Sequence, residues 1–138
     1  MKYLGLDLGS RTLGVSVSDG TGLIANSLKT IRHNEEYDRL LGEVKDLVNE
    51  LNIDAVVLGF PKNMNNTIGP KGQLSLEFKD KLSKLIDVPI YLQDERLSTK
   101  SATDMLIMGN VSRKNRKKVV DSVAATIILQ SFLDKERR

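Results

Sequence analysis

The sequence contains no cysteine, no tryptophan and only one histidine, His33. Without cysteine, the chain can form neither a disulfide framework nor a thiolate zinc site, and this composition fits a reducing cytosol. Three tyrosines and three phenylalanines are its only aromatic residues, so stacking of bases on an aromatic platform is not an obvious mode of nucleic-acid binding. His33 precedes a predicted helix, and we expect it to be a solvated loop residue rather than a ligand.

Long apolar runs are also missing. No stretch approaches the ~20 apolar residues that a membrane span needs, and the first residues lack the charged-then-apolar pattern of a signal peptide. The length of 138 residues is that of one ordinary domain. These features predict a single cytoplasmic domain over residues 1–138, without membrane contact.

Positive charge is concentrated near the end of the chain. The net charge is only +3, yet residues 113–138 carry eight lysines or arginines against three acids. The densest part, called the basic run below, consists of Arg113, Lys114, Arg116, Lys117 and Lys118. A solvated linker between helices is the ordinary explanation of such a run. Its position just before Asp121 favours a contact with a phosphate backbone instead.

The pattern of apolar residues predicts the element order β-β-β-α-β-α-β-α-α. Strands are expected at residues 2–8, 13–18 and 23–31, as an antiparallel meander, and then at 54–59 and 89–93. Helices are expected from Asn34 to about Leu51, around residues 74–85, from Ser98 or Thr99 to about Met108, and from about Lys118 to Asp134. This order is that of the ribonuclease H-like α/β fold, in which helices flank a mixed five-stranded sheet of an antiparallel meander plus parallel strands.

Three carboxylates lie where an unpaired acid would be costly to bury. Asp7 interrupts the first apolar strand, Glu95 follows the fifth strand, and Asp121 lies on the apolar face of the last helix. Right-handed crossovers would bring the ends of the first and fifth strands to one edge of the sheet, where such folds bind ligands. Mg²⁺ and Mn²⁺ prefer oxygen ligands of this kind. The three acids therefore predict a site for two divalent ions that hydrolyses phosphodiester bonds.

Each acid also has a purely structural explanation. Asp7 could end its strand and cap the turn at Gly9, and Asp121 could cap the last helix. Asp94 and Glu95 are adjacent, so in a continuing strand they would point to opposite faces and only one would join a given site easily. We favour Glu95.

Four motifs run in order over essentially the whole chain. They are GLDLGSRTLGV at residues 5–15, GFPKNM at 59–64 with Gly69 and Pro70, DERLST at 94–99, and the basic run leading to DSVAA at 121–125. Together they resemble the YqgF family of ribonuclease H-like nucleases. The resemblance implies a metal-dependent nuclease that matures the 5′ end of the 16S ribosomal RNA precursor, with Asp7, Glu95 and Asp121 matching the family's acids. The family has also been proposed to resolve Holliday junctions.

Two departures from related patterns bear on the substrate. Asn66 stands where the family commonly has glycine, and because asparagine tolerates left-handed backbone the turn is expected to survive. Resolvases of the better-known ribonuclease H-like type carry a fourth acid near the third, whereas Lys118 and Ala124 occupy neighbouring positions here. RNA is therefore the expected substrate, in a ribosomal RNA precursor that the ribosomal particle could contain. Branched DNA is the alternative, and the pattern does not indicate an oligomeric state.

Further substrate contacts are predicted around the acids. The amides of Asn63 and Asn65 could hold phosphate oxygens or a sugar hydroxyl, although a solvated loop is equally compatible with their composition. Arg11, in the first motif, and Arg96 are assigned to phosphate binding as well. For Arg96, an ion pair with Asp94 or Asp104 is the alternative.

Two rival classes remain. The opening motif resembles the phosphate-binding turn of actin-like ATPases and sugar kinases, but those enzymes close two such domains on a nucleotide, and 138 residues provide one. The other rival is a catalytically silent nucleic-acid-binding module. Three buried negative charges would serve no purpose in a protein that only binds phosphate, so retention of the acids favours an enzyme.

Overall fold

The structure is a computed structural model and describes residues 1–61, 69–94 and 113–136. Within the last range, side chains are described from residue 123 onwards. The helix predicted between Ser98 and Met108 lies outside the described residues.

A five-stranded mixed sheet forms the centre of the fold. Its strands are β1 (Tyr3–Leu8), β2 (Thr12–Ser18), β3 (Ala25–Arg32), β4 (Ala55–Phe60) and β5 (Ile90–Asp94). The strand order is β3-β2-β1-β4-β5. β1, β2 and β3 pair antiparallel, whereas β1, β4 and β5 pair in parallel. The predicted meander joined to parallel strands is thereby confirmed.

Three described helices cover this sheet: α1 (Tyr37–Glu50), α2 (Pro70–Ser83) and α3 (Arg113–Glu136). None of the helices in the described part of the chain is long and apolar enough to cross a membrane. The predicted start of α3 near Lys118 is wrong, because the helix already begins at Arg113. Lysine and arginine are good helix formers, and residues 113–118 contain no glycine or proline. The basic run is therefore part of a helix and not a linker between helices.

The two faces of the sheet bury different sets of residues. Leu4, Leu6 and Leu8 of β1 belong to the larger apolar cluster, which also includes the buried side chains of α1 and α2. The second cluster joins Val57 to Ile128, Leu129, Phe132 and Leu133 of α3. Successive side chains of a strand point to opposite faces. The remaining β1 positions, Tyr3, Gly5 and Asp7, therefore face α3.

The helix α3 approaches the sheet most closely at Gly5. A Cβ atom at Gly5 would lie 2.3 Å from Ser16 Oγ, 2.8 Å from Leu129 Cβ and 3.2 Å from the carbonyl oxygen of Ala125. The buried Ser16 hydroxyl donates a hydrogen bond to that carbonyl at 2.8 Å. Only a residue without a side chain fits between β1 and the helix here.

The helix runs antiparallel to β1. Near the start of the strand, the rings of Tyr3 and Phe132 meet edge to face with centroids 5.7 Å apart, while Ala125 and Leu129 lie over Gly5. Moving along β1 towards Asp7 therefore means moving towards the beginning of α3. Gln130 ties the helix to the β2–β3 connection: its Oε1 accepts from the Ala25 N–H at 2.8 Å, and its Nε2 donates to the Leu23 carbonyl at 3.0 Å.

Substituting Gly5 should loosen this contact. We expect Gly5→Ala to lower the free energy of unfolding by about 1–3 kcal/mol, because the added methyl group overpacks a site with no free space. Gly42→Ala is the matched control, since nothing lies within 4 Å of a Cβ at that exposed helical position. It should raise stability by about 0.5–1 kcal/mol. Urea unfolding measures both, and a Gly5→Ala variant as stable as wild type would contradict the close packing.

Candidate functional site

Asp7 is the second-last residue of β1 and is half-buried on the face covered by α3. Its partner in the antiparallel register is Gly14 of β2. Directly opposed residues bring their Cβ atoms within about 5.5 Å, and Gly14 has no side chain to fill that space. Gly14 therefore places no side chain beside Asp7 on the β2 side.

The ends of the three parallel strands lie at one edge of the sheet. Leu6 pairs with Leu58 and Leu58 with Leu92, so β1, β4 and β5 finish at the same level. Two strand spacings separate β1 from β5, which corresponds to about 10 Å. The predicted convergence of the first and fifth strand ends on one edge is confirmed.

Asp94, the last residue of β5, is exposed and lies on the other side of the sheet from Asp7. Strand alternation groups Asp94 with Ile90 and Leu92, and those two pack against the cluster that includes α1 and α2. Tyr91 lies on the α3 side, where its ring stacks on Phe132 at 5.3 Å. Asp94 is therefore not placed beside Asp7. Glu95, which follows it in the sequence, lies outside the described residues, as do Arg96, Asn63 and Asn65.

The backbone of α3 carries Asp121 towards the Asp7 end of β1. Position 121 lies about one turn before Ala125 along the helix backbone. Ala125 is the residue whose carbonyl lies over Gly5. From Ala125 back to Arg113 the helix continues for about 18 Å, whereas only three residues of β1 follow Gly5. The helix backbone that carries the basic run thus extends beyond the strand end, although its side chains and that of Asp121 are not described.

Among the side chains that the structure describes, no three histidine, aspartate or glutamate residues converge as metal ligands. Of the three predicted ligands only Asp7 is in that set. The predicted ligand group as a whole therefore remains a prediction.

The β1–β2 turn follows Asp7 and is held by the connection between β3 and α1. Within the turn, the Gly9 N–H donates to the Thr12 carbonyl at 2.8 Å. From the connection, the His33 N–H donates to the Arg11 carbonyl at 2.9 Å and the Glu35 N–H to the Ser10 carbonyl at 3.1 Å. These bonds fix the backbone next to the candidate site.

Arg11 is exposed on this turn. Its guanidinium donates a hydrogen bond to Asn34 Oδ1. The asparagine side chain is thus engaged with the turn, and α1 begins later than its predicted start at Asn34, with Glu36 at the N-cap position and no side-chain capping bond.

His33 is the residue that sequence reasoning placed wrongly. The residue is only 8% exposed. Its Nε2 lies 2.8 Å from the Gly9 carbonyl oxygen, and its ring contacts that of Tyr37 edge to face with centroids 5.4 Å apart. The connection folds back over the β1–β2 turn and covers the ring, so His33 is not a solvated loop residue. One signal was available, because His33 continues the in-out alternation of β3 two residues beyond the buried Ile31.

The ring of Tyr37 packs edge to face against that of His33. Burial, followed by the negative charge of Glu35, raises the pKa of the Tyr37 hydroxyl above its ordinary value, and the Arg11 guanidinium offsets part of this rise. The hydroxyl therefore stays protonated near neutral pH and does not act as a base.

The strand order, the connections and an acid on the central strand define the ribonuclease H-like fold. Solved structures that share it include two proteins bound to Holliday junctions. T. thermophilus RuvC in complex with a Holliday junction aligns with a TM-score of 0.62 at 18% identity, over 99% of this chain and 96% of that one. The fowlpox virus resolvase in complex with Holliday junction DNA aligns with a TM-score of 0.63 at 14% identity, over the whole of both chains. At these identities the likeness concerns the fold.

Residues 1–135 match the RuvX family, described as Holliday junction resolvase. A protein of Bacillus subtilis strain 168 is 50% identical over 135 residues, covering 97% of this chain and 98% of that protein. One from Geobacillus kaustophilus is 49% identical over 138 residues, covering 99% of this chain and all of the other. Both carry the provisional name pre-16S rRNA nuclease. This chain belongs to the RuvX (YqgF) family, a family of hydrolases that act on nucleic acids, and the resemblance noted in its motifs is confirmed.

Proposed function

We propose that this chain is a divalent-metal-dependent nuclease that processes the 5′ end of the 16S ribosomal RNA precursor. The observation that carries the proposal is the placement of Asp7, half-buried at the end of β1 on the face against which α3 packs. The provisional name shared by relatives about half identical to this chain supports the substrate. The whole of residues 1–138 would act as one nuclease domain, in the cytoplasm, on RNA that the ribosomal particle could present.

The donor set fits Mg²⁺ or Mn²⁺. Asp7, Glu95 and Asp121 offer only carboxylate oxygens, which these hard ions prefer. The chain has no cysteine, and the Nε2 of its one histidine is engaged by the Gly9 carbonyl. Asp7, Glu95 and Asp121 would hold the two ions. When bound, two such ions activate a water nucleophile and stabilise charge on the phosphoryl and leaving oxygens.

The remaining predicted residues would hold the substrate. The basic run at the start of α3 and Arg11 on the β1–β2 turn would bind phosphates of the backbone, which fixes the register of the nucleic acid without reading its sequence. Asn63, Asn65 and Arg96 would add contacts around the scissile phosphate. The neutral Tyr37 would contribute only packing.

Holliday junction resolution is the second candidate. The description of the matched family favours it, and the related folds that are bound to junctions are compatible with it. The residues at positions 118 and 124 disfavour it, because neither supplies the fourth acid of the better-known resolvases. A silent nucleic-acid-binding module would gain nothing from a carboxylate held half-buried beside its phosphate site.

Removing the Asp7 charge should stop cleavage. With a precursor rRNA 5′ segment and Mn²⁺, Asp7→Asn should lower kcat by more than about a hundred-fold, because losing a direct metal ligand costs more than the 10–100-fold typical of its supporting partners. RNA binding should persist. A labelled four-way DNA junction assayed in parallel distinguishes the two substrates, and chelator should abolish either activity.

Asp46→Asn is the matched control, since it removes the same charge from an exposed position on α1. It should cleave like wild type. Turnover by Asp7→Asn at the wild-type rate would rule out the proposed metal site, and junction cutting without RNA cutting would favour the resolvase.

Neutralising part of the basic run should weaken binding in a salt-dependent way. The slope of log affinity against log salt is negative, and each lost phosphate contact reduces its magnitude by about 0.7–0.9. Lys114→Gln with Arg116→Gln should therefore reduce that magnitude by roughly 1.4–1.8. Lys71→Gln with Lys81→Gln removes the same charge from α2, which packs on the opposite face of the sheet, and should leave the slope unchanged. Fluorescence anisotropy at several salt concentrations measures both. Equal slopes for all proteins would place the basic run outside the interface.

A further inference from the structure

His33 lies at the centre of the bonds that join the β3–α1 connection to the β1–β2 turn. Its backbone N–H donates to the Arg11 carbonyl at 2.9 Å, and its ring Nε2 is 2.8 Å from the Gly9 carbonyl oxygen. Gly9 is two residues beyond Asp7. The connection therefore holds the backbone that follows β1. Strand-pairing hydrogen bonds no longer fix the chain there.

The ring bond has a defined direction. A carbonyl oxygen can only accept, so Nε2 must carry the hydrogen that it donates to Gly9, and in the neutral ring Nδ1 is then an acceptor. Nδ1 is buried and has no hydrogen-bond partner among the described residues. Burying an unsatisfied polar atom is unfavourable. Within that part of the chain, the bond to Gly9 is therefore the one hydrogen bond that the imidazole makes. An apolar ring could not make it.

The β3–α1 connection also contains a residue in an unfavourable backbone conformation, and that residue bonds the turn. Glu35, two residues later, has φ of 56°, a left-handed conformation that non-glycine residues seldom adopt. In it, the Glu35 N–H reaches the Ser10 carbonyl at 3.1 Å. The connection thus forms hydrogen bonds to the carbonyl oxygens of Gly9, Ser10 and Arg11.

We propose that His33 is a positioning residue of the cleavage site: its Nε2–H bond to the Gly9 carbonyl holds the β1–β2 turn so that the Asp7 carboxylate keeps its place for the metal ions. The inference rests on the proposed nuclease function. His33 itself touches neither ion nor substrate in this account. Its effect passes through Gly9 to the end of β1.

Two near-isosteric substitutions separate the bond from the volume of the side chain. His33→Gln places an amide N–H donor at the position of Nε2, whereas His33→Met has a similar shape without a donor. His33→Phe is a second variant without a donor, and it keeps an aromatic ring against Tyr37. Ile53→Val, a buried position between α1 and β4, controls for a general loss of packing.

Two readouts are measured for each protein below its melting temperature. With RNA and Mn²⁺, His33→Met and His33→Phe should lower kcat by about 10–100-fold, as expected for a supporting partner of a metal ligand, with KM within about two-fold of wild type. Calorimetric titration with Mn²⁺ alone should show affinity reduced by a similar factor. His33→Gln should recover most of both, and Ile53→Val should match wild type.

The outcomes separate this inference from the proposed function. Wild-type kcat and Mn²⁺ affinity in His33→Met would overturn it, and so would equal losses in His33→Gln and His33→Met. If wild type cuts neither RNA nor junction, the proposed function fails and the Mn²⁺ titration alone decides the inference: weaker binding in His33→Met that His33→Gln restores supports it, and equal affinities overturn it. Absence of Mn²⁺ binding by wild type would overturn both.

Discussion

The packing of α3 against the sheet at Gly5 is the contact on which the candidate site depends. The helix can come this close because Gly5 has no side chain, and the Ser16 hydroxyl fills the adjoining space while bonding the Ala125 carbonyl. Since α3 runs antiparallel to β1, this contact sets how far the beginning of the helix reaches past the strand end. Any displacement at Gly5 would move the backbone at position 121 relative to Asp7, so stability of the fold and geometry of the site are coupled.

The position of Asp7 explains how a charged side chain can be partly buried there. The residue stands one step before the end of β1, opposite a glycine, where the sheet no longer encloses it completely. A carboxylate at this position is only partly removed from water, so its charge costs less than it would in the core. The turn that follows is hydrogen-bonded to the β3–α1 connection.

Much of the fold could be predicted because alternation and helical periodicity were clear. The apolar run over residues 2–8 predicted β1, and the recurrence of Leu40, Val44 and Val48 predicted α1. His33 was misjudged because its environment is made by a turn more than 20 residues earlier in the chain, a tertiary contact that local pattern does not contain. The start of α3 was misplaced for a different reason: a dense positive run predicts solvation equally well for a helix and a linker. Asp94 and Glu95 could be distinguished in principle by alternation alone, and the structure agrees in placing Asp94 away from Asp7.

The central proposal is that Asp7 of β1, Asp121 of α3 and Glu95 belong to one metal site. Anomalous scattering from crystals of the protein soaked in Mn²⁺ tests it without reference to any substrate. The account predicts a manganese ion about 2.1 Å from an Asp7 carboxylate oxygen, with Asp121 and Glu95 supplying further oxygens to the same site. Manganese bound elsewhere, with none at Asp7 at saturating concentration, would contradict it.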